Sequence, residues 1–129
     1  MKLMETHEAV FNRATETLEG IVEVWDYLPA NLPTPFVVLG RLSIDFPNSL
    51  ITKTGEGYAL TQKIHVVTKA MEKHKAADIL VKIKKAFDEE LSIEGATVLL
   101  QQPKSGYVEE TADAEFYGEL DVEIWLEDY

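Results

Sequence analysis

The stretch on which the fold turns is Glu115-Phe116-Tyr117-Gly118-Glu119-Leu120-Asp121-Val122-Glu123-Ile124-Trp125-Leu126-Glu127. Phe116, Gly118, Leu120, Val122, Ile124 and Leu126 alternate with Glu115, Tyr117, Glu119, Asp121, Glu123, Trp125 and Glu127. Period two sustained over this length predicts a long strand with one face on a core and the other on water. The wet face is almost wholly carboxylate. An acidic tract of this kind reads as an ordered strand face and not as a disordered tail.

The charge balance of the whole chain depends on that reading. Its 129 residues carry 12 Lys+Arg against 23 Asp+Glu, a formal net charge of −11. Residues 1–50 hold 3 basic and 7 acidic side chains, residues 51–105 hold 9 and 7, and residues 106–129 hold 0 and 9. Nearly all the excess therefore sits in the closing segment. Such a surplus opposes wrapping of nucleic acid, which wants a basic face. The absence of cysteine excludes a disulfide scaffold, a Cys-ligated zinc site and a cysteine nucleophile. The start, Met1–Glu8, has no apolar segment typical of a secretory signal. No apolar run approaches the ~20 residues of a membrane span, so no membrane partner is expected. A soluble cytoplasmic protein of one domain, residues 1–129, is the expectation.

Outward from the closing strand, Glu5–Glu19 reads as a helix, with Val10, Phe11, Ala14 and Leu18 at helical spacing and Gly20 as its stop. Ile21–Tyr27 is short and β-like. Leu28–Pro35 breaks regular structure, because its three prolines fix the backbone and remove donors. Asp26 and Tyr27 are expected to close a turn ahead of it. Phe36–Ile44 is a strand whose first four residues are apolar enough for burial on both faces. Asp45–Gly57 is a loop by composition, long for a compact domain. Tyr58–Thr68 alternates as a strand. Glu72–Leu91 is a helix with one stripe of Ala76, Ile79, Leu80, Ile83, Phe87 and Leu91 and with lysines off that stripe; Asp78 and Lys82 are spaced to pair at i,i+4. Ala96–Gln102 is a strand and Pro103–Gly106 a turn. The order predicts an α+β fold: a mostly antiparallel sheet with two helices packed on one face.

Catalytic signatures are missing. His7, His65 and His74 have no metal-ligand spacing, and neither a phosphate-binding loop, a G-x-S-x-G elbow nor a calcium loop is present. No metal ligand, cofactor or catalytic residue is assigned. Glu119, Asp121 and Glu123 stand at spacing two, within about 7 Å of their neighbours. An acid pair or weak cation site is conceivable there; a solvated strand face that guards against aggregation is the plainer reading. Lys73, Lys82 and Lys85 belong to the one basic cluster, on the second helix, and lack the arginines and aromatics of a nucleic-acid surface. The two sets form candidate charge-complementary faces, a lysine helix of one copy meeting the carboxylate strand of the next.

The ordered motifs resemble a known family. Val24-Trp25-Asp26-Tyr27-Leu28-Pro29 followed by Thr34-Pro35-Phe36-Val37-Val38-Leu39-Gly40 resembles the "V-Y-D-x-x-P … x-P-Y-V-x-x-G" pattern of tail completion, or tail terminator, proteins of long-tailed bacteriophages. Thr52–Gly57 is similar to that family's "T-K-x-G-x-E" loop, and Ile64–Thr68 to its "I-H-V-W-S" strand. The segment Lys75–Ile79 resembles the helix that follows, and Val122-Glu123-Ile124 the closing strand. Phe36 replaces the usual Tyr, Val67 the usual Trp, and Ala70–Lys73 a Gly-Arg-type turn. The resemblance implies a non-enzymatic virion protein, assembled in the host cytoplasm and placed at the head-proximal end of the tail. It implies a ring of copies, commonly six-fold, that caps the tail tube protein and meets a head-completion or connector protein. DNA passes through such a ring without specific binding, and a carboxylate-lined lumen would repel its phosphates. Two other readings of the same residues are a small acidic metal-binding or enzymatic module and a DNA-mimicking, host-directed regulator.

On the resemblance, Asp45, Phe46, Leu50, Ile51, Lys53 and Glu56 are the candidate subunit or tube interface, since apolar residues on a loop suggest a partner surface. Deleting Ser49–Gly55 is expected to leave a folded protein, read by circular dichroism, that no longer attaches to tails. Normal infectious particles made with the deletion would refute this.

Overall fold

The computed structural model describes residues 1–46 and 57–129. The order of elements is α1 (Leu3–Thr17), β1 (Val24–Trp25), β2 (Phe36–Asp45), β3 (Gly57–Thr68), α2 (Lys73–Phe87), β4 (Ala96–Glu110) and β5 (Phe116–Asp128). The strands form one sheet in the order β1-β2-β3-β5-β4. Only β1–β2 is parallel; the other three pairings are antiparallel. This is the expected α+β architecture, with the helices on one face.

The alternation in the closing strand decides which face that is. Leu120, Val122, Ile124 and Leu126 of β5 are buried in one cluster with Leu60, Ile64 and Val66 of β3, Ile79, Ile83 and Phe87 of α2, and Val10 of α1. Each such aliphatic side chain contributes about 1.5–3 kcal/mol by leaving water. Slipping β5 by one residue would bring Glu119, Asp121 and Glu123 onto the helices, so the register is strongly specified. Gly118 shortens the gap: a Cβ there would stand 3.0 Å from Leu80 Cδ1.

Two polar devices lock the helices onto this sheet. Arg13 of α1 donates from Nη1 to the carbonyls of Ala86 and Glu89, at 2.8 and 2.9 Å. Gln101 of β4 donates to the carbonyls of Phe87 and Glu89 and accepts from the Leu91 N–H. Both satisfy carbonyls at the end of α2 that have no partner within the helix, and the arginine adds a favourable charge at the negative end of the helix dipole. In the sheet, buried Gln62 donates to the carbonyls of Gly40 and Lys63 at 3.0 Å, covering a bulge in β2, while its Oε1 lies 3.2 Å from His7 Nδ1.

Several expectations need correction. Pro103–Gly106 is not a turn. It lies inside β4, which runs on to Glu110 across register irregularities at Val98/Leu100 and Pro103/Ser105. Because β4 is an edge strand, the missing proline N–H breaks no ladder on its outer side. The reversal comes later, where the Thr111 N–H donates to the Glu115 carbonyl at 2.8 Å and Ala114 takes φ 62. Asp26 and Tyr27 do form the expected bend ahead of the proline segment, but it is exposed, and Asp26 makes no hydrogen bond or ion pair among the described residues. The surface ion pairs of α2 are Lys84–Asp88 at 2.7 Å and Lys75–Glu72 at 3.8 Å, not Asp78–Lys82. Helix α2 ends at Phe87, earlier than expected, though Leu91 is buried as its stripe required.

Met71, between β3 and α2, has φ 68 and is 96% exposed. A left-handed backbone costs an L-residue about 1–2 kcal/mol, and this side chain recovers nothing by burial. Met71→Gly should raise the unfolding free energy by about 1 kcal/mol, measured by urea titration with an unchanged m-value. A decrease would overturn the argument.

Candidate functional site

The face of the sheet away from the helices carries the polar residues of β5 and its neighbours. Register places Glu119 between His65 and Tyr107, Asp121 between Lys63 and Ser105, and Glu123 between Thr61 and Gln102. Lys63 Nζ lies 3.2 Å from Glu119 Oε1 and 3.3 Å from Asp121 Oδ1, one ammonium paired with two carboxylates. Lys104 Nζ meets Glu123 Oε2 at 2.8 Å, and Trp125 Nε1 donates to Glu123 Oε1 at 2.8 Å. His65 Nδ1 bonds the Tyr117 hydroxyl and stands 3.7 Å from Glu119 Oε1. The His65 ring also passes over Gly40, where a Cβ would come within 2.2 Å of it. Only glycine fits beneath that ring.

The carboxylate face is thus less solvated than its sequence suggests. Side-chain exposures of 17%, 26% and 11% at Glu119, Asp121 and Glu123 reflect lysines from adjacent strands lying along it. The alternating pattern located the three acids; it held no signal for Lys63 and Lys104, whose pairing needs the strand order. Lys73, Lys82 and Lys85 are exposed on α2, on the other side of the sheet, and make no ion pair among the described residues. The structure therefore does not bring the two charge-complementary sets together within one chain. Of the candidate interface, Asp45 and Phe46 are exposed at the end of β2; Leu50, Ile51, Lys53 and Glu56 lie outside the described residues.

Electrostatics follow from this packing. Burial pushes the Glu119 carboxyl up, but hydrogen bonds from Tyr107 and Lys63 outweigh it and hold the carboxyl below its ordinary range. The Lys104 hydrogen bond does the same for Glu123, against the opposing pull of burial. Burial lowers His65 despite the nearby Glu119 charge, and raises Tyr117. At the sheet end, burial and the bond to Asp128 raise Tyr58 to about 12. Among the described residues, no group of three or more His, Cys, Asp or Glu could hold a metal ion. An open cleft of about 730 Å³ lies elsewhere, between Leu28–Phe36 and the β4–β5 reversal.

Fold and face together make a two-layer α+β chain presenting a broad, charge-laddered sheet surface. The family model for tail completion protein gp17 matches residues 9–127, and the chain belongs to that family of bacteriophage tail proteins. Two solved structures are similar in fold. A chain in the virion of a native gene transfer agent particle aligns with TM-score 0.73 at 18% identity, covering 93% of this chain and 92% of that one. The bacteriophage SPP1 gp17 protein aligns with TM-score 0.57 at 23% identity, covering 92% and 89%. No curated protein matches the sequence.

The shifted groups predict a two-stage acid response. A histidine lowered on folding favours the neutral form, so its contribution is complete above about pH 6.5 and is lost as pH falls toward its folded value. The lowered carboxyls of Glu119 and Glu123 contribute above about pH 4.3, and that contribution is lost as pH falls through their folded values. Thermal melts should show a shallow loss of stability below neutrality and a steeper one in acid. His65→Gln should remove the first and keep the second.

Proposed function

We propose that this chain is a tail terminator: six copies close into a ring on the finished end of the tail tube and present a docking surface to the head connector. The observation that carries the reading is the family match, which extends over residues 9–127. The similar fold of a chain within a gene transfer agent virion supports a place in the particle; the terminator role would put it at the head-proximal end of the tail. No reaction is part of this role.

The charge distribution supports a passage for DNA. The open sheet face carries Glu119, Asp121 and Glu123 against Lys63 and Lys104, leaving it net negative. Turned inward, it would repel phosphate and let DNA slide. Lys73, Lys82 and Lys85 on the helix layer make no ion pair among the described residues and are the surface that would meet the carboxylate strand of the next copy. Asp45 and Phe46, exposed at the end of β2, are the described residues of the candidate tube-contacting surface.

The test is electron microscopy of the protein mixed with unterminated and terminated tails, with light scattering on the mixtures. Ring-shaped density at one end of unterminated tubes, and none added to terminated ones, is the expected result. A protein that stays monomeric beside open tubes and leaves them unchanged would sink the reading.

A further inference from the structure

The two long edges of the sheet are complementary in direction, height and chemistry. From β2 to β3 to β5 to β4 the chain crosses three antiparallel pairings, so the outer strands β2 and β4 run in opposite directions. Copies related by rotation about an axis roughly along the strands keep their strand directions. The β4 edge of one copy therefore meets the β2 edge of the next in antiparallel orientation, the easier pairing to make.

Both edges have free length at the same height. On its outer side β2 is covered by β1 only at Val37 and Val38, so that among the described residues Gly40–Asp45 has no strand beside it. Across the sheet, Asp45 pairs Ala59, Ala59 pairs Trp125, and Trp125 pairs Leu100. One rung along, Ser43, Thr61, Glu123 and Gln102 make the equivalent row. The uncovered end of β2 is thus level with the Val98–Gln102 end of β4.

Large apolar side chains are left in water at that level on both edges. Ile44 is 42% and Phe46 64% exposed beside β2; Leu99 is 41% and Leu100 38% exposed on β4. Edge strands are ordinarily blunted by charge, proline or irregularity. In β4 Pro103 and Lys104 do this at mid-strand; at Leu99 and Leu100 the register irregularity at Val98/Leu100 is present, but neither a charge nor a proline stands there. An edge guarded in the middle and apolar at one end favours one register over indiscriminate pairing.

We propose that the Val98–Gln102 end of β4 adds, antiparallel, to the Leu42–Asp45 end of β2 in a second copy of this chain, joining their sheets into one continuous sheet. The inference rests on the ring reading and specifies its interface. The pairing is heterologous, so repeating it propagates around a ring and does not stop at a dimer.

Disulfide trapping tests it cleanly, because the chain has no cysteine. Asp45→Cys with Leu100→Cys, and separately Ser43→Cys with Gln102→Cys, are assembled on open tail tubes and treated with a thiol oxidant. Each crosslink removes two hydrogens from two thiols and passes them to the oxidant. Both double variants should give a reducible covalent ladder on non-reducing gels, ending at the copy number of the ring; the four single variants should stay monomeric. Circular dichroism and microscopy of the same samples establish folding and assembly. Rings in the microscope without a ladder from either pair overturn the interface and leave the ring. Dimers from Leu100→Cys alone mean a two-fold β4–β4 contact, which also overturns it. No rings from the unmodified chain on open tubes refute the ring reading and this inference together.

Discussion

The pairing of β3 with β5 is the constraint on which the rest of the molecule depends. Every residue from Gly57 to Thr68 has a partner between Phe116 and Glu127, with no irregularity. An unbroken ladder leaves no freedom to rotate a side chain from one face to the other. Leu120, Val122, Ile124 and Leu126 go under the helices, and Glu119, Asp121 and Glu123 go to the opposite face. The irregularities fall in β2 and β4, where a shift of register disturbs one neighbour instead of two. The glycine floor under His65 and the glutamine that covers the β2 carbonyls both belong to that displaced material.

Placing three acids on one strand face creates an electrostatic demand that the neighbouring strands meet. Lys63 is shared by Glu119 and Asp121, and Lys104 is held by Glu123. Such pairs add little free energy where solvent reaches them, because water already screens the charges. Their larger effect is on shape: the lysine stems lie along the sheet and leave it even, and the residual negative charge is spread over a surface instead of gathered in a cleft.

How much of this was legible beforehand depended on whether the cause was local. The closing strand and the α2 stripe are periodicities within one segment, and both appeared where the pattern placed them, with α2 ending early. Pro103–Gly106 reads as a turn because proline and glycine punctuate most chains; the structure uses them inside an edge strand, and edge position is not written in the local sequence. The bonds from Arg13 and Gln101 to the end of α2 span more than ten residues, and no spacing rule reaches that far. Asp45 and Phe46 stand out in the sequence by the composition of their loop; the structure adds that both are exposed at the end of β2.

By itself the sequence determined which residues face the core, that the closing acidic tract is a strand, the α+β class, and, through its ordered motifs, the tail completion family. These follow from side-chain periodicity and local backbone chemistry, which act within a few residues. Tertiary structure alone decided that β5 lies between β3 and β4, that Lys63 and Lys104 neutralise part of its face, that the α2 lysines stand on the far side, and that the Gly40–Asp45 end of β2 is level with the Val98–Gln102 end of β4, neither with a strand on its outer side among the described residues. Each of those is a relation between segments distant in the chain, and it exists only once hydrogen bonding has set the order and register of the strands.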